Sequence, residues 1–147
     1  MSDEIDWDSL TFSLTPTDHM YITETQMDEA WMPGDMLPYG DMKISPAAGV
    51  LNYGQGLFEG MKAYKDNQNK IWLFRPLENY NRINRSSERL QIPKFPEEFF
   101  FNGLKELLKI DSDWIQTGIG NSLYVRPFVF ASQAGVQASA SVEYTFI

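Results

Sequence analysis

Apolar positions recur at two periods along this chain, and the changes of period divide it into elements. HMYITET (19–25) is rich in β-formers and predicts a first strand. The stretch 31–49 is punctuated by Pro33, Gly34, Pro38, Gly40 and Pro46, so it predicts loop with at most short pieces of strand. MKAYK (Met61–Lys65) and IWLF (71–74) alternate on either side of the polar run DNQNK, which predicts a hairpin. From Pro76 the period lengthens. Leu77, Tyr80, Ile83, Ser87 and Leu90 recur at steps of three and four, giving a helix with one buried face, Pro76 at its first position and Glu78 in its first turn, broken at Ile92-Pro93. PEEFFFNGLKELLKI (96–110) predicts a second helix, with Phe100, Leu104, Leu107 and Leu108 inward, acids early and Lys105 and Lys109 late. SLYVRPFVFAS (122–132) returns to alternation. Leu123, Val125, Pro127 and Val129 share one face; Tyr124, Arg126, Phe128 and Phe130 share the other. Pro127 cannot donate to a ladder, so the strand lies at an edge or bulges there. SVEYTFI (141–147) starts a further strand, with Val142, Tyr144 and Phe146 on one face, and stops without a turn or cap, which reads as a truncation. Together these elements predict an α/β (α+β) domain of two layers, a mainly antiparallel sheet with the helices on one side.

Size and composition narrow the class. With 147 residues, 43% of them hydrophobic, the chain suits one globular domain rather than disorder. It has no cysteine and a single histidine, His19, which excludes disulfides, thiolate metal sites and a multi-histidine metal site. No apolar run reaches the ~18–20 residues of a membrane span, and the opening MSDEIDWDSL is acidic where a signal peptide is basic, so a cytoplasmic location is expected. A net charge of −8 disfavours nucleic acid and anionic membrane as partners. The charge is uneven: residues 1–42 hold ten acids and no Lys or Arg, and all five arginines lie between Arg75 and Arg126. A small anionic ligand reads such a local cluster, whatever the total.

Three stretches could carry chemistry. YGQGLFEG holds Gly54, Gly56 and Gly60 but lacks the Lys-Ser/Thr pair of a P-loop and runs into a hairpin strand rather than a long helix. A plain tight turn is the simpler reading, with Tyr53 and Phe58 as core or pocket wall. On the first helix, Arg82, Arg85 and Arg89 fall within roughly 60° of the circumference at 3.6 residues per turn. They form either a solvated basic face, with Glu78 pairing Arg82 one turn away, or a face from which one arginine grips a phosphate or carboxylate. Arg126 stands among Tyr124, Phe128 and Phe130, so it either snorkels from a sheet edge or reads an anion in an apolar pocket. None of the seven lysines stands in a context that suggests a Schiff base, and no nucleophile motif or paired carboxylates stand out.

YGQGLFEGMKAY (53–64), LFRPLENYNR (73–82), SSERL (86–90) and SLYVRP (122–127), in this order and approximate spacing, with DHM at 18–20, resemble the N-terminal domain of branched-chain amino-acid aminotransferases. These are class IV aminotransferases, enzymes of fold type IV with pyridoxal 5'-phosphate as cofactor. The resemblance runs from about His19 to the end of the chain and covers only the family's N-terminal part. It implies an acidic lead-in over 1–18, the small domain over 19–132, an interdomain loop and truncated strand over 133–147, and a C-terminal domain absent from this chain. It implies that Arg82 holds the cofactor phosphate and that Phe58 walls the substrate pocket. Tyr124 and Arg126 line the side-chain pocket, the arginine taking the distal carboxylate of glutamate. Tyr53 and Val136 would reach the pocket of a neighbouring subunit, so a homodimer is implied; the wording ASQAGVQAS around Val136 departs from the family's. No catalytic residue is carried over, because the Schiff-base lysine belongs to the C-terminal domain. The implied function is amino-group transfer between leucine, isoleucine or valine and 2-oxoglutarate, in branched-chain amino-acid biosynthesis, with this chain inert by itself. The alternatives are a non-catalytic binding module of the same fold, or a related enzyme of D-amino-acid aminotransferase or aminodeoxychorismate lyase type.

Overall fold

The computed structural model describes residues 5–7, 10, 13–26, 29–136 and 143–147. Val142 and residues 137–139, the last three of the ASQAGVQAS stretch, lie outside the described residues. The elements follow in the order β1 (His19–Gln26), β2 (Asp35–Pro38), α1 (Gly49–Tyr53), β3 (Gly56–Phe58), β4 (Met61–Lys65), β5 (Ile71–Leu73), α2 (Pro76–Arg89), α3 (Glu97–Ile110), a 3₁₀ turn (Ser112–Trp114), β6 (Leu123–Val125), β7 (Phe128–Ala131) and β8 (Glu143–Phe146). The expected antiparallel α/β architecture is present, and the strands divide into two sheets. One has the order β2-β1-β8-β7-β3, the other β5-β4-β6, and every named strand pairing is antiparallel.

The division begins at Pro127. The expected single strand over 122–132 is two strands, β6 in the small sheet and β7 in the large one, with Arg126 and Pro127 between them. The facing chain does the same, since β3 pairs with β7 and β4 with β6. Phe58 lies opposite Phe128 and Met61 opposite Val125, one register throughout, so Glu59 faces Pro127 and Gly60 faces Arg126. Pro127 has no N–H to give, and only its carbonyl takes part, accepting from the Glu59 N–H at 2.8 Å. The ladder is therefore interrupted on both strands at one level, and the ribbon passes from one sheet to the other there.

The core lies between the helices and the inner strand faces. Phe100, Leu104 and Leu108 of α3 are buried as their spacing predicts, with Leu107 half-buried. They meet Trp31, Phe95, Val129, Tyr144 and Phe146; the Phe95 and Phe146 rings stack at 3.8 Å. The buried face of α2 differs from expectation. Ile83, Asn84 and Ser87 are buried and Tyr80 is half-buried, whereas Leu77 and Leu90, at the helix ends, are exposed. Burial of the polar Asn84 is accounted for by its amide: Oδ1 accepts from the Phe95 N–H at 2.9 Å, and Nδ2 donates to the Phe95 carbonyl at 3.2 Å. That clamp holds the α2–α3 connection over the helix. At the far end of the sequence, β8 sits in mid-sheet, paired with both β1 and β7.

Candidate functional site

The interruption at Glu59–Gly60 and Arg126–Pro127 opens the sheet surface and gathers the charged groups. Phe58 ends β3 with its ring 62% exposed, and the Arg126 guanidinium lies over it, Cζ 4.7 Å from the centroid. The same guanidinium lies 5.2 Å from the centroid of Tyr124, the middle residue of β6, and Nη2 donates to the Tyr124 hydroxyl at 3.2 Å. Gly60 makes room for that tyrosine. A Cβ there would collide with Tyr124 Oη and stand 3.1 Å from two ring carbons. Arg126 is therefore neither mid-strand nor simply snorkelling: it is exposed, stands in the break, and is steered by two aromatic rings.

One residue back, Glu59 turns the other way and is 5% exposed. It binds Arg82 of α2 through two parallel hydrogen bonds, Nε to Oε1 at 2.5 Å and Nη2 to Oε2 at 2.6 Å. Asn79, one turn before Arg82, donates from Nδ2 to Glu59 Oε2 at 3.0 Å and to the Gly60 carbonyl at 3.1 Å. Burial pushes the Glu59 carboxyl up. The Arg82 and Asn79 hydrogen bonds and the Arg82 charge outweigh that and leave it below its ordinary value. The hydrogen bonds and charge of Glu59 raise Arg82 in turn, so the pair is ionised. Glu78 does not pair with Arg82; it meets Arg75 at 3.4 Å. Arg85 and Arg89 are exposed, so the solvated-face reading describes those two and not Arg82.

Of the five N–H donors of Arg82, Glu59 takes two and three remain, on a guanidinium side chain that is 60% exposed. An anion can engage the open edge while Glu59 holds the closed one, so the residues present fit a phosphate group. The glycine turn provides no comparable cradle. Gly54 is the C-cap of α1, at φ 65°, donating to the Val50 carbonyl at 3.1 Å, so the turn closes a helix C-terminus rather than presenting an N-terminus.

The structure thus brings four expected site residues, Phe58, Arg82, Tyr124 and Arg126, to one short span of paired backbone. Tyr53 and Val136 are exposed on another pair of segments, where Gly49 N–H donates to the Gln133 carbonyl and Gly135 N–H to the Ala47 carbonyl. Sequence reasoning missed Glu59 and Asn79. A lone acid inside the apolar run GLFEGM was the available signal for Glu59, but nothing in the local pattern names a partner 23 positions away. Among the described residues, no group of His, Asp and Glu is arranged to hold a metal ion, and no helix is long and apolar enough to cross a membrane.

No family model matches the chain. Curated relatives do. Branched-chain-amino-acid aminotransferase 5 of Arabidopsis thaliana, described as chloroplastic, is 42% identical over 144 residues, 98% of this chain and 35% of its own length. Branched-chain-amino-acid aminotransferase 2 of Bacillus subtilis is 41% identical over 142 residues, 97% of this chain and 39% of its own. Over nearly its whole length the chain is similar to part of the branched-chain aminotransferases. It spans about two fifths of the length of these relatives. Solved branched-chain aminotransferases share its fold: the Escherichia coli enzyme superposes with a TM-score of 0.63 at 20% identity, over 89% of this chain and 40% of that one. A second solved branched-chain aminotransferase, from T.th. and complexed with N-(5'-phosphopyridoxyl)-L-glutamate, gives 0.65 at 22% identity over the same shares. The fold is that of the N-terminal part of the fold-type-IV branched-chain aminotransferases.

Proposed function

We propose that this chain is the small N-terminal domain, over 19–132, of a pyridoxal-phosphate-dependent transaminase that moves an amino group between leucine, isoleucine or valine and 2-oxoglutarate. In this reading Arg82 holds the cofactor phosphate, and Phe58, Tyr124 and Arg126 form the wall that receives substrate side chains. The observation that carries it is the adjacency of two features: an arginine fixed on one edge and open on the other, and an exposed aromatic pair that steers a second arginine.

Pyridoxal phosphate, when bound, supplies the ring that takes up electron density from the substrate Cα. The residues of this chain bind and orient. Arg82 offers charge-assisted hydrogen bonds to a phosphate, each worth on the order of 1.5–3 kcal/mol in a formed contact. Arg126 suits a pocket that must accept both a carboxylate and a hydrocarbon. When glutamate enters, the guanidinium pairs with the distal carboxylate. When leucine enters, it stays on the Phe58 and Tyr124 rings and its charge remains compensated and solvated. Tyr53 and Val136, being exposed, are available to a second subunit, which fits a homodimer sharing its pockets. The lysine that carries the cofactor is assigned to the C-terminal domain, outside residues 1–147.

Arg82→Ala in the full-length protein tests this directly. Affinity for pyridoxal 5'-phosphate, followed by absorbance titration, is expected to fall on the order of tenfold or more. Unchanged affinity would remove Arg82 from the site.

A further inference from the structure

The ion pair between Glu59 and Arg82 is asymmetric in a way that suggests a task. The acid is buried and held from three directions: its N–H binds the Pro127 carbonyl, and Oε2 accepts from both Asn79 and Arg82. The base is 60% exposed. An ion pair serving only to fill the interior would bury both partners; here a rigid acid anchors a projecting base. An exposed arginine otherwise samples many rotamers, and a ligand that binds it must bear the loss of that freedom. Two parallel bonds from one carboxylate fix the plane as well as the position of the guanidinium.

We propose that Glu59 is a positioning residue for phosphate recognition: it pre-orients Arg82 so that the open guanidinium edge faces a phosphate monoester. This rests on the reading of Arg82 as the phosphate contact. Two effects of Glu59 oppose each other. Its charge partly offsets that of Arg82 and repels a dianion, while its bonds remove the ordering cost. The repulsion acts across the width of the guanidinium and beside solvent, where it is screened; the orientation acts at contact. Orientation therefore wins, and Glu59 raises phosphate affinity despite its sign. Asn79 supports the same arrangement by holding Oε2 and the Gly60 carbonyl together.

The test compares pyridoxal 5'-phosphate with pyridoxal, which lacks the phosphate, as ligands of the full-length protein. The ratio of their affinities isolates the phosphate contribution. Arg82→Ala is expected to lower that ratio by more than tenfold, and Glu59→Ala by about tenfold. Glu59→Gln, which keeps one acceptor for Arg82, is expected to lose less than Glu59→Ala. In parallel, the Arg82 Nε–H should be a slowly exchanging resonance in ¹⁵N NMR of the wild type and fast in Glu59→Ala. A Glu59 variant with a lowered melting temperature but an unchanged or raised ratio, alongside a weakened Arg82→Ala, would overturn the positioning role and leave Arg82 in place. An unchanged ratio in Arg82→Ala would fail the Arg82 reading itself, and the positioning role with it. Should Glu59→Ala not fold, Glu59→Gln and the exchange measurement decide alone: an unprotected Nε–H in the wild type contradicts the clamp.

Discussion

At Gly60 the absence of one methyl group decides where Tyr124 can lie. A Cβ there would overlap Tyr124 Oη, while the nearest ring carbons would be 3.1 Å away, tight but able to yield. Gly60→Ala is therefore expected to displace the Tyr124 ring and its bond to Arg126, whereas in a Tyr124→Phe background the same alanine meets only the ring. A double-mutant cycle read by kcat/KM for glutamate should show coupling on the order of 1 kcal/mol; additive losses would mean that the glycine serves something other than the tyrosine. Glu59 makes a prediction of a different kind. Its carboxyl lies below its ordinary value of about 4.5 in the folded chain, so the unfolded chain takes up the proton first as pH falls. The stabilisation is complete above the unfolded value and is lost as pH drops through the folded one. The melting temperature of the wild type should exceed that of Glu59→Gln at neutral pH, and the gap should narrow as pH falls from the unfolded value through the lower folded one. A gap that does not narrow at all on acidification, or that widens, would contradict a depressed Glu59. At this scale the proposed roles of Arg82, Phe58, Tyr124 and Arg126 come from motif wording, and the structure adds the contact of Arg126 with Phe58 and Tyr124. Glu59 is not named by any local pattern, because its partner Arg82 lies 23 positions on, in α2 beyond the β4–β5 hairpin.

Among the elements, those specified by short-range pattern are the most legible. The β4–β5 hairpin appears with its five-residue turn, and Asp66 ties that turn by accepting from the Gln68 and Lys70 N–H groups and from Trp72 Nε1. Helix α3 begins one residue after its expected start and ends where expected. The strand over 122–132 reads as one because alternation persists through it; the change of sheet at Pro127 depends on which strand lies opposite, and alternation carries no information about partners. Likewise, periodicity places Leu77 and Leu90 on the buried face of α2, although the helix is covered only along its middle. What covers that middle is the Phe95 segment, held by Asn84. Asn84→Ala would leave the Phe95 N–H without its partner in a buried place, at a cost of about 1–3 kcal/mol, while the Phe95 carbonyl keeps the bond from the Tyr80 hydroxyl at 3.1 Å. Urea unfolding should show a loss of about 1–3 kcal/mol; a loss under about 0.5 kcal/mol would mean that the connection is held without the Asn84 amide.

For the whole molecule, the decisive contact is between the two ends of the sequence. Strand β8 pairs with β1 at one side and β7 at the other, and Phe146 stacks on Phe95 while meeting Trp31 and Phe100 edge-on. Phe146→Ala should therefore cost about 3–5 kcal/mol, as for a fully packed aromatic, measurable by urea unfolding; a cost below about 1 kcal/mol would place β8 at the margin of the fold. The sheet that contains β8 carries β3 and β7, whose ends present Phe58 and the Arg126–Pro127 break that form the proposed pocket wall. That wall leads to the most direct measurement: kcat/KM for glutamate and for leucine in the full-length protein, with and without Arg126→Ala. A side-chain pocket in which Arg126 receives a carboxylate predicts a fall of more than about tenfold for glutamate and less than about threefold for leucine. Equal losses for the two substrates would contradict it.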